Sequence, residues 1–196
     1  MAGVNRILED MKAHGMKVPN EKVNIAIPNA EKVFKNALSY FIGMENGKQA
    51  QMLPEYQSVA KWLENNEGRG LFLYGNCGRG KTIIAQYVVP AILLKYCRKV
   101  VACYDAQEMN EKLNEVLQRK LLCIDDIGTE DVSVVYGNKR LAFLEVVDAA
   151  EKQGKLLIVT SNLNHEQLVE KYGDRAMDRI RATTKRILFV GDSLRR

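Results

Sequence analysis

The sequence predicts an α/β fold, a parallel sheet with helices on both faces. Three observations lead there. From Gly70 onward, short apolar runs alternate with longer helical patterns. The apolar runs lack the in–out alternation of a half-exposed strand, as strands covered on both faces do. A glycine-rich segment, Gly75 to Thr82, lies between the first such run and the first such helix.

Taken in order, Leu71 to Tyr74 is a buried strand and Lys81 to Lys95 a helix. Val100 to Tyr104 is a second strand, and Gln107 to Gln118 a helix with Met109, Leu113, Val116 and Leu117 on its apolar face. Leu121 to Ile124 is a third strand, Lys139 to Gln153 a helix and Leu156 to Thr160 a fourth strand. Glu166 to Arg181 is one helix, and Arg186 to Val190 a last strand. The first forty-odd residues differ. Val4, Ile7, Leu8 and Met11 have helical spacing, and prolines at 19 and 28 mark breaks. A helix follows from Ala30 to Phe41, then a loop from Gly43 to Gly47, then a helix from Pro54 to Asn65 with its proline in the first turn. The expected division is a short helical segment over residues 1–45, open to a partner, and an α/β core over 46–196.

A chain of 196 residues, 46% apolar and 27% charged, buries enough surface to fold without disulfides or a structural metal. Cys77, Cys97, Cys103 and Cys123 form no C-x-x-C pair and are joined by only two histidines, which argues against zinc. Three of the four lie in apolar stretches and read as small core residues. No apolar stretch is long enough to span a membrane, and the N-terminus lacks a signal-peptide core. A cytoplasmic protein without a membrane partner is expected. The net charge is +5, and residues 171–196 hold eight Lys or Arg against three Asp. That region reads either as a contact for phosphates of nucleotide or DNA, or as a solvated helix face.

The segment Gly75-Asn76-Cys77-Gly78-Arg79-Gly80-Lys81-Thr82 fits the phosphate-loop pattern in full, between strand and helix as that pattern requires. Its glycines let several N–H groups face one anion. The helix N-terminus adds its dipole. Lys81 supplies a point charge for the β- and γ-phosphates of ATP, and the Thr82 hydroxyl coordinates Mg²⁺. Leu121-Leu122-Cys123-Ile124 then delivers Asp125 and Asp126 to a strand end, the Walker B arrangement. Asp125 should reach the Mg²⁺ shell. Asp126 stands where many ATPases place a Glu that orients or deprotonates the attacking water, and its shorter side chain predicts slow hydrolysis. Leu156 to Val159 ends in Thr160-Ser161-Asn162. Asn162 either touches the γ-phosphate and attacking water, the sensor 1 role, or caps the next helix. Arg175 and Arg179 share a helix face. They either form an arginine finger for a neighbouring subunit or pair with Asp174 and Asp178.

The ordered set GNCGRGKT, LLCIDDIG, IVTSNL, YGDRAMDRI and GDSLRR resembles the DnaC/IstB-like branch of AAA+ ATPases over roughly residues 50–196. The resemblance implies a P-loop three-layer αβα sandwich of AAA+ type, with a five-stranded parallel sheet of order 5-1-4-3-2 and no C-terminal lid domain. It implies that Arg179, with Arg175 second, is the finger, and that Arg195 reaches nucleotide or a subunit interface. It further implies ATP and Mg²⁺ as cofactors and self-assembly into rings or spirals around single-stranded DNA. The partner would be a replicative helicase. An IstB-like transposition ATPase and an ATP-controlled binding switch with negligible turnover are the alternatives.

Overall fold

The computed structural model describes residues 2–46, 50–130, 133–135 and 138–195. Helix α1 (Ala2–Ala13) leads to α2 (Ala30–Asn46) and α3 (Pro54–Glu64), then strand β1 (Gly70–Gly75). The next helix has three parts: α4 (Lys81–Ile83), a π-helical turn (Ile84–Val88) and α5 (Val89–Cys97). Strand β2 (Ala102–Asp105), helices α6 (Ala106–Glu111) and α7 (Leu113–Val116) and strand β3 (Leu121–Ile127) follow. A small hairpin, β4 (Ser133–Val135) with β5 (Asn138–Arg140), precedes α8 (Ala142–Gln153) and β6 (Leu156–Ser161). Helices α9 (His165–Tyr172) and α10 (Asp174–Thr183) lead to β7 (Thr184–Phe189).

The five long strands pair in the order β2-β3-β6-β1-β7, all parallel. Counting only these strands, that is the expected 5-1-4-3-2. Alternate residues of the central strands enter different cores. Leu71, Leu73, Ile158 and Phe189 join α2, α3 and the helix after β1 in one apolar cluster. Phe72, Ile124, Leu157 and Val159 join α6 to α10 in the other. The result is a three-layer sandwich in which the central strands β1, β3 and β6 are apolar until their carboxyl ends, where Asp125, Thr160 and Ser161 are buried, which is why the sequence shows continuous runs there rather than alternation.

Several boundaries differ from the expected ones, each for a local reason. The helix expected to end at Phe41 continues through Asn46, so Gly43 is helical; Gly47 lies outside the described residues. The helix after the loop takes a wide turn just before Pro90, with Val89 N–H bonding the Ile84 carbonyl. Proline has no N–H and its ring crowds the carbonyl four residues back, so a π turn relieves both problems. Lys112 leaves helical geometry and splits the helix expected over 107–118. Gly173, at φ 81° and ψ 161°, splits the one expected over 166–181, a backbone state that side chains disfavour. The helix expected from Lys139 begins at Ala142, because Asn138–Arg140 is paired in the hairpin. Of the cysteines, only Cys123 is buried; Cys103 is exposed, since β2 is an edge strand.

The N-terminal third contributes to the core. Ile25, Ile27, Phe34 and Leu38 are each at most 1% exposed and share the cluster with β1. Asn66 fixes this segment by accepting from the Ile25 N–H at 2.8 Å and donating to the Val23 carbonyl at 2.8 Å. Removing the Phe34 ring should therefore lower global stability: Phe34→Ala is expected to cost about 3–5 kcal/mol in denaturant unfolding. A change well under 1 kcal/mol would show that α2 is not part of the cooperative core.

Candidate functional site

The loop from Gly75 to Gly80 leaves β1 at the carboxyl edge of the sheet. Gly75, Gly78 and Gly80 take φ of 114°, 72° and 81°, values that open the loop around an anion. Behind it, Lys81 is 5% exposed. Its ammonium donates to the carbonyls of Gly75 (2.9 Å) and Asn76 (2.8 Å) and to Asn162 Oδ1 (2.8 Å). Burial pushes the ammonium below its ordinary range, while Cys77, Asp126 and Asp125 pull the other way. A charge held this way is desolvated and aimed, ready to gain from a phosphate.

Strand β3 carries the two carboxylates on a bulge, where its pairing with β6 slips between Ile124 and Ile127. Asp126 takes a left-handed backbone, φ 57°. Thr160 holds both acids together: its hydroxyl donates to Asp125 Oδ1 at 2.6 Å and accepts from the Asp126 N–H at 2.8 Å. Asn162 Nδ2 donates to Asp126 Oδ1 at 2.6 Å, so one amide bridges Asp126 and Lys81. Thr160 and Asn162 are two apart at one strand end and both bond to Asp126. The spacing that points to Asn162 points equally to Thr160, a hydroxyl two residues earlier on the same pleat. The helix-cap alternative for Asn162 is not what forms: Asn164 caps α9, accepting from the Gln167 N–H at 2.9 Å.

Asp125 is 7% exposed. Burial pushes its carboxyl above the ordinary range, and hydrogen bonds from Thr160 and Thr82 oppose the shift. A buried carboxylate beside the Thr82 hydroxyl is a pair of hard oxygen donors. It fits Mg²⁺ that takes its remaining ligands from water and substrate phosphates. Among the described residues no cluster of three or more His, Cys, Asp or Glu could hold a metal ion.

A cavity of about 710 Å³ opens over Gly78, Gly80, Lys81 and Thr82 and reaches Asp126, Thr160 and Asn162. Its other wall is apolar: Ile42, Ala50, Leu53 and Tyr56 from the N-terminal third, with Leu194 and Arg195 from the tail. The tail is tied to the loop. Leu194 N–H donates to the Gly78 carbonyl at 2.8 Å, and Asn76 Nδ2 donates to the Gly191 carbonyl at 3.0 Å. A Cβ on Gly78 would stand 2.1 Å from Ser193 Oγ. The apolar wall was not legible in the motifs, because Ile42 and Tyr56 lie on helices and Leu53 just before one, where apolar spacing marks packing and not a ligand.

Arg79 turns away from the cavity. Its guanidinium pairs with Glu55 through Nε at 3.1 Å and through Nη2, and donates to the Asp192 carbonyl at 3.2 Å. Its backbone alone remains in the loop. Cys77 is exposed at the cavity rim. Arg175 and Arg179 do not line this cavity. They lie on α10 against α8, where Arg179 pairs with Asp148 and, at 3.3 Å, with Glu151. Asp174 and Asp178 are not the partners of Arg179.

The family model described as novel STAND NTPase 3 matches residues 52–192. The chain belongs to this family. A curated relative, the replicative helicase loader DnaI of Bacillus subtilis strain 168, is 30% identical over 96 residues, which make up 41% of this chain and 31% of DnaI. The matched region thus spans about a third of that relative. Among solved structures, the crystal structure of DnaI superposes with a TM-score of 0.53 at 21% identity, covering 85% of this chain and 96% of that one. A replication initiator DnaA bound to AMPPCP and single-stranded DNA gives 0.51 at 24%, covering 70% and 46%. The shared fold is the AAA+ P-loop domain, in agreement with the DnaC-like resemblance of the motifs. Among the described residues no helix is long and apolar enough to cross a membrane.

The Glu55–Arg79 pair anchors the loop to α3 in a site where both side chains are at most 10% exposed. Taking away one partner strands a buried charge, so Glu55→Ala should lower unfolding free energy by about 3–5 kcal/mol. Thermal unfolding monitored by circular dichroism checks this, and an unchanged melting temperature would rule the anchor out.

Proposed function

We propose that the chain binds and hydrolyses ATP as an AAA+ protein of DNA replication, acting in the cytoplasm to load or regulate a replicative helicase on single-stranded DNA. The observation that carries the chemistry is the Asn162 amide, which accepts from Lys81 and donates to Asp126 across the cavity floor. A residue placed there senses the γ-phosphate and the attacking water together.

The roles follow from position. The loop N–H groups from Cys77 to Thr82, at the start of the helix, receive the phosphates, while the Asn76 N–H is held by the Phe189 carbonyl at 2.9 Å. Lys81 neutralises the β- and γ-oxygens. Thr82 and Asp125 would hold Mg²⁺, which offsets phosphate charge when bound. Asp126 orients the attacking water and accepts its proton. The apolar wall from Ile42 to Tyr56 receives the base, and Arg195 closes the cavity from the tail. Arg179, on the α8–α10 face rather than in its own cavity, serves a second copy's nucleotide, with Arg175 beside it. This reading makes the active species a ring or spiral. Support for the replication role comes from the similarity to DnaI and from the ordered motifs.

A second reading, an ATP-controlled switch with little turnover, is favoured by Asp126 itself. Its short carboxylate is already engaged by Asn162 and must give up that bond to take a water. Single-turnover hydrolysis with and without single-stranded DNA separates the two readings.

Lys81→Ala is expected to abolish ATP binding, measured by calorimetry. Arg179→Ala should leave binding by single chains intact and lower hydrolysis by about a thousandfold or more, the range in which arginine fingers act. Normal turnover in both variants would overturn the assignment.

A further inference from the structure

Arg179 is the residue that the proposed function asks to act on a second copy, yet in the lone chain it is occupied. Its guanidinium meets Asp148 and Glu151, one helical turn apart on α8. Residues three apart on a helix share a face, so the two carboxylates converge on one cation. Arg179 is 20% exposed at the side chain, Asp148 31% and Glu151 43%. The cleft that Asp148 and Arg179 line is lined also by Glu145 and Arg175. Asp148 is shared with Lys152 at 3.5 Å, so the two cations and two carboxylates together are close to neutral. In that state the Arg179 guanidinium is already paired and offers a triphosphate little net positive charge.

We propose that Asp148 and Glu151 are positioning residues that hold Arg179 out of reaction in the isolated chain, so that assembly must displace them before Arg179 can serve. The inference rests on the reading of Arg179 as the finger. Its physical logic is a competition. The carboxylates are partly solvated, so each pair is weak. A desolvated γ-phosphate with its charge focused in the neighbour's cavity is the stronger partner. The pair is therefore strong enough to neutralise Arg179 in solution and weak enough to yield at an assembled interface. The device ties hydrolysis to assembly through the pairing alone, without any rearrangement of the fold. Asp148 follows Val147 and Glu151 follows Ala150, both buried on the inner face of α8, so the same helix that closes the core also presents the latch.

The test is steady-state ATP hydrolysis per subunit, measured over a range of full-chain concentrations. Asp148→Asn with Glu151→Gln is expected to move the onset to a concentration about three- to tenfold lower than wild type, as the loss of two weak pairs implies, with KM for ATP unchanged. Asp148→Glu, which keeps the carboxylate, should restore the wild-type onset. Glu151→Gln alone, at the surface and outside the core, should give a smaller shift in the same direction and serves if the double variant folds poorly. Arg179→Ala should stay slow at every concentration. If Arg179→Ala is slow but the neutralised variants start hydrolysis at the wild-type concentration or later, the latch is wrong and the finger stands. If Arg179→Ala hydrolyses normally, the finger reading fails and the latch with it.

Discussion

The Lys81 ammonium is the interaction on which the site depends. It closes the loop on itself through two carbonyls and reaches across to Asn162 on β6. The sheet order makes this possible: β6 lies directly beside β1, and β3 beyond it. Loop, Asn162 amide and acidic strand end thus meet at one edge without any long-range loop bringing them there. Burial raises the cost of leaving that ammonium unpartnered, so the carbonyl and amide contacts also shape the loop for an anion.

Thr160 plays the corresponding part for the acids. A parallel strand that continued regularly would send Asp126 to the face opposite Asp125. The bulge and the left-handed backbone at Asp126 change that direction, and the Thr160 hydroxyl occupies the gap by bonding to both residues. The irregularity is where the strand serves the site rather than the core. Such bulges commonly re-aim side chains next to functional sites.

Much of this was readable from residues alone. The phosphate loop, the Asp125-Asp126 pair and the three central strands carry strong local patterns, because a strand buried on both faces leaves no room for polar residues until its end. The resemblance supplied the sheet order, which no single-strand pattern contains. What stayed hidden depends on three-dimensional pairing. The partners of Arg179 are on α8, not at Asp174 or Asp178, because helix-to-helix packing rather than sequence proximity chose them. The wide turn before Pro90 and the break at Gly173 are small backbone events that helical periodicity averages away. The apolar wall of the cavity comes from the N-terminal third, whose Ile25, Ile27 and Phe34 look like ordinary core residues in isolation.

The stitching of the phosphate loop has a consequence for how the protein opens. Arg79 joins the loop to Glu55 on α3 and to the Asp192 carbonyl in the tail, while Tyr56 donates to the Arg79 carbonyl at 2.9 Å. Loop, N-terminal helices and tail therefore share one set of buried bonds. Local fluctuations that would expose the loop amides to exchange with solvent must break contacts in all three at once, so these segments behave as a single opening unit. A fragment holding only β1, the loop and the following helix would lack the bonds that give the loop its shape.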